Sequence, residues 1–290
     1  MITTKNNSQK QRTIGKEFSF FGIGLHTGKK IKVTLMPSEP NTGISFLRTD
    51  IKKNNLIKAL WHNVSSTILC TTISNQSGVS VSTIEHLMSA LSGMHIDNML
   101  VLIDGPEVPI MDGSSKPFVE LLEKNEIILQ AFDRKIIKVK KEVKVTKDDS
   151  FVKIAPNNQF SINFEIDFES HLIKKQECQL QMINGNYKTD ISSARTFGFE
   201  KDVNQLRKNG YALGGSLENA VVVGENRILN EDGLRFSDEF VRHKILDSIG
   251  DLYLAGNPVQ GYFYGKKSGH FLNNQLLRKL LSDKSNFDII

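Results

Sequence analysis

One order of elements occurs twice along this chain, and that repetition limits the folds open to it. In the first copy a strand over Lys30–Met36 alternates Ile31, Val33 and Leu35, and a Pro- and Gly-bounded turn leads to a second strand, Ile44–Arg48. Ile84, Leu87, Met88 and Leu91 predict a helix over Thr83–Gly93, with Ser82 or Thr83 as its N-cap. A buried strand, Met99–Ile103, and a helix over Pro117–Lys124 follow. Past residue 130 the series returns. A strand over Lys135–Thr146 precedes Val152-Lys-Ile-Ala-Pro156, which echoes Val33-Thr-Leu-Met-Pro37, and Ile162-Asn-Phe164 echoes Ile44-Ser-Phe46. A helix over 239–250 answers that over 83–93: His86 and His243 each stand seven residues before a glycine, Gly93 and Gly250. The strand Gln260–Gly265 and the helix Phe271–Leu281 close the second copy. The expectation is an α+β fold of two similar domains, 1–130 and 131–290, each a β-sheet packed on helices. The second carries an insertion at about 192–226 that contains Gly210, Gly214, Gly215 and Gly224.

Duplication has a chemical consequence. On the helix around 240–251, His243, Asp247 and Asp251 recur every fourth residue and so share one face. If the halves pack about a pseudo-twofold axis, His86 faces that helix. Two imidazoles and a carboxylate suit a zinc-like ion, and three protein ligands leave a position for water, as catalytic rather than structural sites do. Glu85, beside His86, is placed to take a proton from water activated there. His270, in Gly269-His-Phe, is placed to protonate a leaving amine, with Asp251 as the partner that would fix its tautomer and keep it cationic. His-Glu-x-x-His is absent.

Composition excludes several classes. The net charge of +5 is spread out, without an arginine-rich arm, so nucleic acid is not an expected partner. No apolar run reaches membrane-spanning length, and Met1–Arg12 is polar, unlike a secretory signal. Two distant cysteines, Cys70 and Cys178, fit a reducing cytoplasm. His62, His95 and His171 have no partner motif, Cys70 reads as core, and Asp112 as a turn residue.

The chain resembles the UDP-3-O-acyl-N-acetylglucosamine deacetylases of lipid A biosynthesis. The resemblance rests on Gly-Ile-Gly-Leu-His-Thr-Gly (22–28), Ser-Thr-Ile-Glu-His-Leu (82–87), Ile-Asp-Asn (96–98) and Met-Asp-Gly-Ser (111–114). It continues in Ala-Arg-Thr-Phe-Gly-Phe (194–199), His-Lys-Ile-Leu-Asp-Ser-Ile-Gly-Asp-Leu (243–252) and Gly-His-Phe-Leu-Asn-Asn (269–274). It implies domains whose helices face each other, and one Zn²⁺, or Fe²⁺, on His86, His243 and Asp247. It also implies Glu85 as general base, His270 as general acid, Asp251 as its partner, Thr196 as an oxyanion donor and Lys244 near the substrate. The insertion corresponds to the family's apolar passage for the acyl chain, with Phe197, Gly214 and Gly215 as expected substrate contacts. The diphosphate of an acylated UDP-sugar suits Lys244, Lys267 and His26, although those lysines are equally readable as solvated charges. The resemblance further implies a cytoplasmic monomer. An amidase for another amide, or a non-catalytic binder of nucleotide sugars, remain alternatives; release of acetate, with and without chelator, separates them.

Overall fold

The computed structural model describes residues 10–182 and 185–290; most of the polar opening stretch lies outside them. Two five-stranded sheets form the framework. In the first, the strands lie in the order Phe18–Ile23, Lys30–Pro37, Met99–Ile103, Ile44–Arg48, Leu56–Lys58. In the second the order is Val143–Lys147, Ser150–Ala155, Tyr262–Lys266, Ser161–Asp167, Lys175–Gln181. Directions match as well: in each sheet the third and fourth of these strands run parallel and every other neighbour is antiparallel. A parallel pair needs a long crossover, and in both sheets that crossover contains a helix: α1 (Glu85–Gly93) in the first half, and in the second α3 (Tyr187–Asp190), α4 (Glu200–Lys208) and α5 (Glu239–Tyr253). A further helix follows each central strand, α2 (Lys116–Lys124) and α6 (His270–Ser282).

Alternation builds the first sheet: Ile31, Val33 and Leu35 are buried between exposed Lys30 and Lys32 and half-buried Thr34 and Met36. Ser161–Asp167 is buried at every position but the last, as suits an inner strand covered by α5. Phe20 meets Phe118 of α2 edge to face, 5.7 Å between ring centres. α5 lies on Ser161–Asp167 and Lys175–Gln181, and α6 on Val143–Lys147 and Ser150–Ala155. α1 and α5 pack directly on each other, so the helices of the two halves meet. Most of α5 is buried around its whole circumference, including His243, Asp247 and Asp251.

Local expectations change at a helix start and in a strand. The first helix begins at Glu85, not Thr83; Thr83 has φ 55° and its hydroxyl donates to the buried Glu107 carboxylate instead of capping a helix. The strand expected over Lys135–Thr146 is two strands serving different sheets. Ile137–Val139 joins Val259–Gln260 and Phe287–Ile289, whereas Val143–Lys147 edges the second large sheet. The first half has an insert of its own, a three-stranded sheet of Val64–Ser66, Thr72–Ser74 and Ser80–Val81, at the same place in the series as the insertion of the second half.

A methyl group at Gly250 would lie 2.1 Å from the Glu85 carbonyl oxygen and 2.9 Å from its carbonyl carbon. Both atoms are backbone and cannot swing aside. Gly250→Ala gains roughly 1 kcal/mol of helix propensity, but overpacking a tight contact costs about 1–3 kcal/mol, and a 2.1 Å approach to backbone sets it at the upper end. The variant is expected to melt at lower temperature and to bind metal less tightly, measured by calorimetry and metal analysis. A wild-type melting temperature would show that α1 and α5 separate freely.

Candidate metal centre and proton-transfer groups

Three buried side chains converge where α1 meets α5. The donor atoms of His86, His243 and Asp247 all lie within 4.8 Å of one another, and among the described residues they form the one such group of three or more. His86 comes from the first turn of α1; His243 and Asp247 are one turn apart on α5. Their two Nε2 atoms lie 3.5 and 3.4 Å from Asp247 Oδ1. The rings meet edge to face with centres 5.0 Å apart.

The protonation states fit ligands. Burial pushes His243 down to about 3, so its ring is neutral at physiological pH. Its Nδ1–H donates to the Ala194 carbonyl at 3.1 Å, which turns the lone pair of Nε2 toward Asp247 and His86. Burial works against a charged Asp247, but the cationic groups around it, the Lys244 ammonium among them, hold its carboxyl well below the usual range. Lys244 Nζ donates to Asp247 Oδ2 at 2.5 Å, leaving Oδ1 buried with no hydrogen-bond partner. An orphaned buried acceptor costs roughly 1–3 kcal/mol. A divalent ion held by His86, His243 and Asp247 would supply the missing partner, and two nitrogens with one oxygen are a donor set suited to it.

Two further titratable groups, Glu85 and His270, flank the cluster. Glu85 Oε2 accepts from the Thr71 backbone N–H at 3.0 Å, while Oε1 lies 3.6 Å from His270 Nε2. Burial raises the Glu85 pKa further than the facing His270 and His86 lower it. His270 Nδ1 donates to Asp251 Oδ2 at 2.8 Å. Burial pulls His270 down, but Asp251 and Glu85 outweigh it and raise it to about 9, so the ring is cationic at neutral pH. Asp251 also accepts from Asn273 at 2.9 Å and from the Thr71 hydroxyl at 2.6 Å.

One cavity of about 230 Å³ gathers most of the residues that the sequence singles out. Glu85, His86, His243, Lys244, Asp247, His270, Thr196, Phe197 and His26 all line it, with Leu25 and Leu69 as apolar walls. His26 Nε2 is buried without a partner, a free polar atom at the wall. Lys267 is placed elsewhere: it bridges Asp149 at 3.1 Å and Asp167 at 3.0 Å. Gly214 packs on the other half, where a side chain would meet the Gly24 carbonyl oxygen at 2.3 Å and its own N–H donates to the Leu25 carbonyl. Gly215 adjoins Ala212 and Leu25. Asp112 accepts from Ser114 and pairs with Arg235, as a turn residue does. Burial raises the Cys70 thiol to about 12, in keeping with core packing.

Sequence reading missed several supports. Glu107, fully buried, accepts from the His26 and Thr27 N–H groups and from Thr83, and so fixes the Gly22–Gly28 loop over the cavity. Ser115 donates to the His86 carbonyl. Thr71 carries no motif. Ala194, whose carbonyl accepts from His243, and Asn273 lie within the motifs 194–199 and 269–274.

A buried His₂Asp cluster beside a raised carboxylate and a carboxylate-paired imidazolium is the arrangement expected of a metal-dependent hydrolase: three groups able to hold an ion next to two able to carry protons. Comparison narrows the class. A family model described as UDP-3-O-acyl N-acetylglycosamine deacetylase matches residues 11–282, and the chain belongs to that family, hydrolases of a carbon–nitrogen bond other than a peptide bond. The UDP-3-O-acyl-N-acetylglucosamine deacetylases of Shewanella sp. (strain ANA-3) and Shewanella baltica (strain OS155 / ATCC BAA-1091) are each 46% identical to it over 282 residues, 97% of this chain and 92% of theirs.

The ligand assignment is tested by metal analysis. His86→Ala, His243→Ala and Asp247→Ala are each expected to purify with little metal, whereas Glu85→Ala retains it and loses most activity. Full occupancy in the first three, or loss in the fourth, would reassign the roles.

Proposed function

We propose that this protein hydrolyses the N-acetyl group of UDP-3-O-acyl-N-acetylglucosamine, giving acetate and the free amine, as a zinc enzyme of lipid A biosynthesis. The observation that carries the reading is the meeting, in one cavity, of the His86–His243–Asp247 cluster with a proton acceptor and a proton donor. The family and its named relatives supply the substrate class. When bound, the ion acts as a Lewis acid on the acetyl carbonyl and lowers the pKa of water to roughly 7.

The residues divide the remaining work. Glu85, with Oε2 held by Thr71, accepts the proton of the attacking water through Oε1. The Thr196 hydroxyl, on the cavity wall, donates to the carbonyl oxygen as negative charge builds there; losing such a donor commonly costs on the order of 10²–10³ in rate. His270, held through Nδ1 by Asp251, presents Nε2–H to the departing nitrogen. Burial opposes the charge on Lys244 but Asp247 more than restores it, so an ammonium faces the cavity where a diphosphate would lie. His26 offers a neutral polar contact there, its pKa lowered by burial. Lys267, occupied by two carboxylates, serves a more distant contact.

The acyl chain is assigned to the insertion of the second half. There Phe197–Phe199 runs parallel to Val221–Val223 with α4 between them. Phe197 belongs both to the catalytic cavity and to an aromatic cluster with Phe168, ring centres 5.7 Å apart, so the insert leads away from the reacting centre along apolar surface. Gly214 and Gly215 hold the insert against the Gly22–Gly28 loop, which supports a role in shaping that passage. The shared strand order of the two sheets supports domains 1–130 and 131–290 derived by duplication. No described helix is long and apolar enough to cross a membrane, and a cytoplasmic monomer completes the reading.

Acetate release from the acylated UDP-sugar tests the proposal: it is expected to stop with chelator and return with zinc. Activity that chelation leaves untouched would overturn it. The pH profile tests the proton carriers. The rate rises as Glu85 loses its proton and falls as His270 loses its own. Asp251 favours the charged imidazole, so removing its charge lowers the His270 pKa. Asp251→Asn is therefore expected to move the alkaline limb to lower pH and to reduce the maximal rate while metal stays bound. An unchanged limb, with His270→Ala still impaired, would remove Asp251 from the mechanism.

A further inference from the structure

We infer that Thr71 is a positioning residue that locks the proton acceptor and the proton donor of the site into one frame. The inference rests on the deacetylase reading and extends it to a residue outside every motif noted above. All three polar groups of Thr71 are engaged around the site. Its N–H donates to Glu85 Oε2 at 3.0 Å. Its carbonyl accepts from the Ile84 N–H, just before α1, at 3.4 Å. Its hydroxyl donates to Asp251 Oδ1, on α5 of the other half, at 2.6 Å. The residue is 2% exposed and is not part of the cavity wall, so it does not touch substrate.

Geometry explains why a hydroxyl is needed there. Asp251 spends Oδ2 on His270 and Asn273, which leaves Oδ1 to be satisfied from the opposite side. Thr71 is the hydrogen-bond donor found there. With both oxygens fixed, the carboxylate cannot rotate, and the plane of His270 follows it. Because the same residue holds Glu85 through its backbone, the separation of Glu85 and His270, 3.6 Å between Oε1 and Nε2, is set from one point. A buried, unpaired carboxylate oxygen would otherwise seek another donor and take the imidazole with it.

Thr71→Val tests this, since it keeps the shape and the N–H to Glu85 and removes only the hydroxyl. The expected result is a kcat lowered about tenfold to a hundredfold, the usual range for an outer partner of a metal site, with KM, metal content and folded spectrum unchanged. Thr71→Ser restores the hydroxyl and is expected to recover most of the rate. In an Asp251→Ala background, Thr71→Val is expected to have no further effect, because its route to His270 is already gone. A Thr71→Val enzyme with wild-type kcat, a Thr71→Ser enzyme as slow as Thr71→Val, or additive losses in the double variant would each overturn the inference. Wild-type enzyme assayed alongside separates the two levels: if it releases no acetate, the deacetylase reading fails, whereas the Thr71 series fails only against an active wild type.

Discussion

At Gly250 the backbone of α5 runs so close to Glu85 that no side chain fits between them. The rest of the site depends on that contact. His86 follows Glu85 on one helix, and His243 and Asp247 lie about two turns and one turn before Gly250 on the other, so the approach that brings backbone to backbone also brings the three donor groups within 4.8 Å. Two sheets with the same strand order stand behind the helices and hold them in register.

Burying so many ionisable groups together is costly unless each has a partner. The structure meets that demand by alternating charge. Asp247 is answered by Lys244, and Asp251 by His270, Asn273 and Thr71. Glu85 is answered by His270 and the Thr71 N–H. Asp247 Oδ1, His86 Nδ1 and His26 Nε2 are exceptions, and the orphaned Asp247 oxygen lies where the two imidazole Nε2 atoms converge. Local environments then set two histidines of one cavity apart: His243 is kept neutral while His270, on another helix, is kept cationic. The same residue type ends in opposite charge states because burial prevails at His243, where Asp247 is countered by His86 and Lys244, whereas Asp251 and Glu85 together outweigh burial at His270.

Much of this was legible in the chain because it is periodic or local. Spacing of four residues on a helix places His243 over Asp247 whatever surrounds them. Alternation in Lys30–Pro37 marks a half-buried strand, and the repeated series of strands and helices was visible despite weak identity. Thr83 misled as a cap because its conformation is imposed by Glu107, 24 residues away, and the run after Lys135 misled because strand partners, not propensity, decide where one strand ends. Lys267 carried no sign that Asp149 and Asp167 would claim it.

The sequence by itself therefore determined most of the elements, the helical phase that sets His243 over Asp247, and which residues are candidates for the site, since helical phase and residue chemistry are properties of neighbours in the chain. Tertiary structure alone decided that His86 would meet His243, and that Gly214 would rest on Gly24. It alone decided, too, that Thr71 would reach across 180 residues to Asp251. Those contacts join segments far apart in the chain, and they form only when two folded halves bury their helices against each other and buried polar groups take donors or acceptors from the space that remains.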